Sequence, residues 1–118
     1  YMSYSVYGLT NCDVTQKAIK WLKEHNIEFE FKNNKIEIFT EQQLQNWCAQ
    51  VGWEKLLNKR GTSFKGLHPL VQLNATTENA AIEIMKEKTS TIKRPLIEKN
   101  GKIITLGFDA KKYEIAYL

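Results

Sequence analysis

Cys12 sits where a short apolar stretch, Tyr4-Ser5-Val6-Tyr7-Gly8, gives way to an amphipathic one beginning at Asp13, in a chain whose only two arginines are Arg60 and Arg94. A thiol at such a junction can be activated by the backbone alone. The first turn of a helix leaves N–H groups unpaired and carries the positive end of the macrodipole, which favours thiolate over thiol and can hold an oxyanion beside it. The plainer reading of a free cysteine is a small buried filler, but the polar run Thr10-Asn11-Cys12-Asp13 argues for the reactive one. Thr10 and Asn11 either offer donors to a bound anion or simply cap the helix. Cys48 is the opposite case. It falls on the apolar side of its own segment and reads as core, which leaves Cys12 dependent on an external thiol to resolve any adduct.

The elements that must position Cys12 are legible nearby. Residues 3–7 read as a short, largely buried strand ending at Gly8. Residues 13–25 place Val14, Ala18, Trp21 and Leu22 on one helical face, with Lys17, Lys20, Lys23 and Glu24 opposite. Thr10 with Asp13 forms a capping box, or Asn11 is the cap; both keep the sulfur near the helix start. Ile27, Phe29 and Phe31 alternate with charged residues, giving a strand over 27–32 and a βαβ unit with two parallel strands.

Further on, Thr40 and Gln43 open a helix with Leu44, Trp47, Cys48 and Val51 on its core face, stopped by Gly52. A short helical stretch over 53–58 leads into Lys59–Gly66, which has no period and two glycines and reads as a loop. Thr76 or Thr77 caps a helix to about Lys88, with Ala80, Ala81, Ile84 and Met85 as its apolar stripe. Pro95 can begin a strand but cannot sit inside a central one. Asn100-Gly101 between Leu96–Lys99 and Lys102–Leu106 is a type I′ hairpin signal, and Asp109 caps a last helix ending near Tyr117. The expected fold is α/β, a mixed four-stranded sheet built as βαβ then ββα, with a helical insertion over about 40–90 in a single domain of residues 2–118.

The chain has 118 residues, enough to bury a core without disulfide or metal support. Two cysteines are too few for a disulfide framework. No Cys/His cluster has zinc spacing, and neither His25 nor His68 is assigned to chemistry. The +4 formal charge comes from lysines spread among acids, a solvated surface rather than a nucleic-acid footprint. With no membrane-length apolar run and no signal-peptide layout, the expected location is the cytoplasm. Tyr1 ahead of Met2 reads as a residue left over from expression.

Three blocks together carry a family resemblance: Tyr7-Gly8-Leu9-Thr10-Asn11-Cys12-Asp13, Gly52 to Thr62 with its Arg60-Gly61-Thr62, and Ile92-Lys93-Arg94-Pro95-Leu96 with Leu106-Gly107-Phe108-Asp109. The order of elements resembles the thioredoxin fold, and the blocks resemble the ArsC-like family of glutaredoxin-linked arsenate reductases, Spx regulators and YffB-type proteins, with the YffB-type members nearest in motif. The resemblance implies that Cys12 is the nucleophile, that Arg60 and Arg94 bind and stabilise an oxyanion, and that a cis bond precedes Pro95, which lines the same site. It implies no bound cofactor or metal. Glutathione would serve as co-substrate, with glutaredoxin as a partner and a small oxyanion or a disulfide as substrate. Paired N–H donors of a planar guanidinium suit a tetrahedral oxyanion, and the charge favours the thiolate. The plainer alternatives are a helix cap for Arg60 and a surface ion pair for Arg94.

Two positions depart from the arsenate reductase pattern: Gly8 replaces a histidine, and the third arginine has no counterpart in Leu106–Asp109. Asp13 opposes a thiolate unless it is tied to the helix start, and Lys17 can offset it. Thr15 stands where Spx proteins often carry a second cysteine. The resemblance also implies an alternative of another class, a non-enzymatic Spx-like regulator or adaptor that binds RNA polymerase or another protein.

Overall fold

The computed structural model describes residues 3–118; Tyr1 and Met2, and with them the reading of Tyr1 as an added residue, lie outside the described residues. In chain order the elements are β1 (Tyr4–Gly8), α1 (Asp13–Glu24), β2 (Phe29–Asn33), α2 (Glu41–Val51), α3 (Trp53–Leu56), α4 (Thr62–Lys65), α5 (Pro69–Leu73), α6 (Glu78–Glu87), a 3-10 turn (Thr89–Thr91), β3 (Leu96–Lys99), β4 (Lys102–Leu106) and α7 (Ala110–Tyr117). They form two compact units, one from residues 1–37 and 94–118 and one from Ile38–Lys93.

The first unit is a mixed four-stranded sheet in the order β2-β1-β3-β4, with α1 and α7. β1 pairs parallel with β2, Tyr4 opposite Phe29, and antiparallel with β3, Tyr7 opposite Leu96. β1 and β3 are therefore the central strands, and they supply the fully buried Val6 and Ile97. Pro95, with no N–H to give a ladder, stands just ahead of β3 instead of within it. The hairpin joining β3 to β4 turns at Asn100 and Gly101, both at positive φ (56° and 77°), as a type I′ turn requires.

Trp21, Leu22 and Ala18 from α1 and Tyr113 from α7 complete the core of this unit. Trp21 and Tyr113 meet edge to face at 5.4 Å, and the Tyr113 hydroxyl donates to the Gly107 carbonyl at 2.7 Å. The bulk of a buried aromatic is thereby used without orphaning its polar end. Asp109 caps α7 as expected, its carboxylate accepting from the Lys111 and Lys112 N–H groups.

Ile38–Lys93 is the helical unit. The Thr40 hydroxyl accepts from the Gln43 N–H to start α2, and Gly52, at φ 86°, ends it where an L-residue would be strained. Of the two candidate caps for α6, Thr77 is the one used; Ile82 takes the buried place expected of Ala80. The stretch read as a loop over 59–66 contains the helical turn α4. Its Phe64 is anchored in the core of the unit, but four residues are too few to show a period. α5 was also unforeseen. His68 caps it, its Nδ1 accepting from the Leu70 N–H, with Pro69 at the first helical position. Among the described residues no helix is long and apolar enough to cross a membrane.

Candidate functional site

Cys12 is itself the N-cap of α1. The sequence had pointed to Thr10 or Asn11, but the chain stays extended through Cys12 (φ −108°, ψ 120°), and the Cys12 carbonyl accepts the first helical bond, from Gln16 N–H at 3.0 Å. The preceding turn is fastened by the Gln16 side chain, whose Nε2 donates to the Thr10 carbonyl at 2.7 Å. Thr10 and Asn11 are exposed and Cys12 is partly so. An N-cap side chain is the one that accepts from the N–H groups of the first helical turn. The third residue of that turn is Thr15.

Thr15 is the residue that pattern reading missed. An apolar stripe counted from Val14 puts the wrong residue inside: Val14 is 42% exposed and Thr15 fully buried. The buried face of α1 runs Thr15, Ala18, Trp21, Leu22, a spacing of three, three and one that the sequence does contain. A threonine among apolar positions was the available signal. Its Oγ1 is buried without a hydrogen-bond partner of good geometry, close enough to Cys12 to act on the thiol.

The third group comes from the sheet. Because Tyr7 pairs with Leu96 across the antiparallel β1–β3 ladder, the Arg94-Pro95 segment runs beside the end of β1 and its turn. The Arg94–Pro95 bond is cis, and the Pro95 carbonyl accepts from Gly107 N–H at 2.9 Å, tying the segment to the end of β4. Burial works against ionisation of Cys12. It is outweighed by hydrogen bonding from the Thr15 hydroxyl, the Thr15 N–H and the Arg94 guanidinium, together with the Arg94 charge, so the thiol pKa falls below its ordinary value.

Cys48 contrasts in every respect. It is 4% exposed on the inner face of α2, and burial, with the Glu78 and Glu54 charges, pushes its thiol up to about 11. The expectation of a core role for it holds.

The structure thus brings Cys12, Thr15 and Arg94 together within the sheet unit, with Pro95 adjacent. Arg60 belongs to the helical unit, exposed at the turn into α4, where its N–H donates to the Asn58 side-chain oxygen at 3.2 Å. Asp13 and Lys17 are both exposed. Among the described residues no group of His, Cys, Asp and Glu is arranged to hold a metal.

A half-exposed thiol below its ordinary pKa, with a guanidinium beside it, can attack an electrophilic centre and stabilise the negative charge that develops there. Known proteins with this architecture are similar over nearly the whole chain. A protein solved as YFFB is 35% identical, covering 98% of this chain and 100% of its own, with a TM-score of 0.90. An arsenate reductase (ArsC) related protein from Brucella melitensis is 37% identical over 98% of this chain and 95% of its own, with a TM-score of 0.77. The regulatory protein MgsR of Bacillus subtilis is 28% identical over 87% of this chain and 81% of its own. The ArsC family pattern matches residues 7–116, and the chain, with its thioredoxin-like mixed sheet, belongs to the ArsC family.

Proposed function

We propose that this protein is a thiol oxidoreductase in which the Cys12 thiolate is the nucleophile, acting on a disulfide or a small oxyanion. The observation that carries the reading is the placement of Cys12 at the N-cap of α1 with the Arg94 segment brought beside it by the β1–β3 register, and the Cys12 pKa falls accordingly. On a disulfide the step is an exchange: the thiolate forms a bond to one sulfur, the S–S bond breaks, and the other sulfur leaves as a thiolate. A second thiolate then attacks the mixed disulfide and frees Cys12. The buried, high-pKa Cys48 is unsuited to that second attack, which supports an external thiol such as glutathione, alone or with glutaredoxin, in a reducing compartment such as the cytoplasm. No bound cofactor is needed. Arg94 holds the developing negative charge. Thr10, Asn11 and Pro95 line the substrate position.

Reduction of arsenate is the narrower form of this reading. Gly8 and the missing third arginine weaken it, so disulfide substrates belong in the same assay. The deciding experiment is NADPH-linked turnover with glutathione and glutaredoxin, run with arsenate and with mixed disulfides. Turnover of at least one, dependent on Cys12, is the expected result, and none with any substrate sinks the proposal.

The alkylation rate follows the thiolate fraction, so its pH dependence is a direct check. Since the Cys12 pKa lies below that of an ordinary thiol, the rate rises and levels off at lower pH than for the same cysteine in the denatured chain. Cys48, at about 11, stays silent at neutral pH. A native Cys12 midpoint at or above the denatured one contradicts the proposal.

The similarity to MgsR, a regulatory protein, supports a second reading, a regulator that binds RNA polymerase or another protein without turnover. Thr15 in place of a second cysteine argues against a redox switch of the Cys-x-x-Cys kind. Absence of turnover together with retention of RNA polymerase by immobilised Cys12→Ser protein favours the regulator.

A further inference from the structure

α5 (Pro69–Leu73) inverts the usual pattern of a helix on a folded core. Helical spacing of about 100° per residue sets Gln72 on one side and spreads Val71, Leu70 and Leu73 around the other. The polar residue is the one turned inward: the Gln72 amide donates to the Lys65 carbonyl at 3.1 Å and to the Leu67 carbonyl at 2.8 Å. The apolar three face out, Leu70 60%, Val71 41% and Leu73 72% exposed, and no residue of α5 is buried. The helix is fixed by polar groups, the Gln72 amide and the His68 cap. Its apolar side chains are therefore held on display without serving the core, which is what sets them apart from scattered surface leucines.

The surroundings are cationic. Between Glu54 and Glu78 the sequence holds Lys55, Lys59, Arg60 and Lys65 and no carboxylate. Printed on the same part of the helical unit are the contacts of three lysines. Lys65 is the residue whose carbonyl Gln72 grips. The Lys88 ammonium comes to 3.9 Å from the place a Cβ on Gly66 would take, and Lys59 Nζ donates to the Ala75 carbonyl, just past the end of α5, at 2.6 Å. A second copy offering the same face would bring like charges together. Nucleic-acid phosphates would answer the lysines and leave the leucines in water. Apolar side chains projecting from a helix among ammonium groups match a surface that is anionic outside and apolar just beneath. We infer that α5 is a membrane-contact element: Leu70, Val71 and Leu73 enter the interface of an anionic lipid surface while Lys65 and Lys88 meet its headgroups. The inference is independent of Cys12 and its chemistry.

The test is co-sedimentation of the whole protein with vesicles of equal parts phosphatidylglycerol and phosphatidylcholine, and with phosphatidylcholine alone. The parent protein is expected to bind the anionic vesicles, more tightly as salt is lowered, and the neutral ones at least about tenfold less well. Leu70→Ser with Leu73→Ser is expected to weaken anionic binding by more than about tenfold. Lys65→Gln and Lys88→Gln should each weaken it by roughly fivefold. Lys111→Gln with Lys112→Gln, which removes two exposed charges from α7 in the other unit, is expected to leave it unchanged. Should the double serine variant not fold, Leu73→Trp supplies the apolar half of the test: its added fluorescence must move to the blue on anionic vesicles. Failure of the parent to bind anionic vesicles overturns the proposal and leaves the face to a protein partner. Equal loss from the α7 substitutions, full binding by the serine variant, or no blue shift overturns it as well, since binding would then be adsorption by net charge.

Discussion

Replacing Cys12 with serine is expected to abolish turnover of disulfides and oxyanions alike, by more than about 10³-fold, while the protein stays folded. The two halves of that expectation have separate physical causes. A serine hydroxyl ionises far above neutral pH, and the hydrogen bonds from Thr15 and Arg94 that favour a thiolate cannot bring it into range. Stability goes the other way. Cys12 occupies the N-cap of α1, where its sulfur is only a weak acceptor for the first-turn N–H groups, whereas serine is among the preferred N-cap residues, its oxygen accepting from those groups. Thermal melting of Cys12→Ser is thus expected at or above the parent temperature, by up to about 1 kcal/mol of stability. A fall in activity accompanied by a fall in melting temperature would point to a structural role for the sulfur. More than a few per cent of residual turnover would remove Cys12 as nucleophile.

The capping position of Cys12 shows where pattern reading works and where it stops. Strand, turn, helix and hairpin were legible because their signals are local: Asn100-Gly101 needs only its own φ angles, and Asp109 and Thr40 only the N–H groups two or three residues on. Exchanging Thr15 for Val14 on the inner face of α1 was a different kind of error. Counting apolar residues puts valine inside and threonine outside. The threonine is inside where Gly8, seven residues earlier on another element, has no side chain and leaves room for it. Short helices failed for a related reason: α4 and α5 span four and five residues and are held by single features, Phe64 and the His68-Pro69 cap. Within the site, the approach of Arg94 to Cys12 depends on the antiparallel register of β1 and β3, separated by nearly the whole chain. Only the family motif, and no spacing, hinted at it.

Arg94 offers the second large effect, and two substitutions separate its charge from its shape. Arg94→Leu removes both the hydrogen bond to Cys12 and the positive charge beside it. The Cys12 alkylation midpoint is then expected to rise, and turnover to fall by about 10²–10³-fold, the scale seen when one preorganised oxyanion donor is lost. Arg94→Lys keeps a charge in the neighbourhood. An ammonium is a point charge without the planar fork, so it restores part of the electrostatic support for the thiolate but not the paired donation to a tetrahedral oxyanion. Alkylation of Arg94→Lys should accordingly fall between parent and Arg94→Leu, while oxyanion turnover stays close to that of Arg94→Leu. Disulfide exchange, which develops charge on a single sulfur and needs no fork, should recover more fully in the lysine variant. Running both substrate classes on both variants therefore reports which reaction the site is shaped for. Full oxyanion turnover by Arg94→Lys would show that charge alone suffices, and full activity in Arg94→Leu would remove Arg94 from the site.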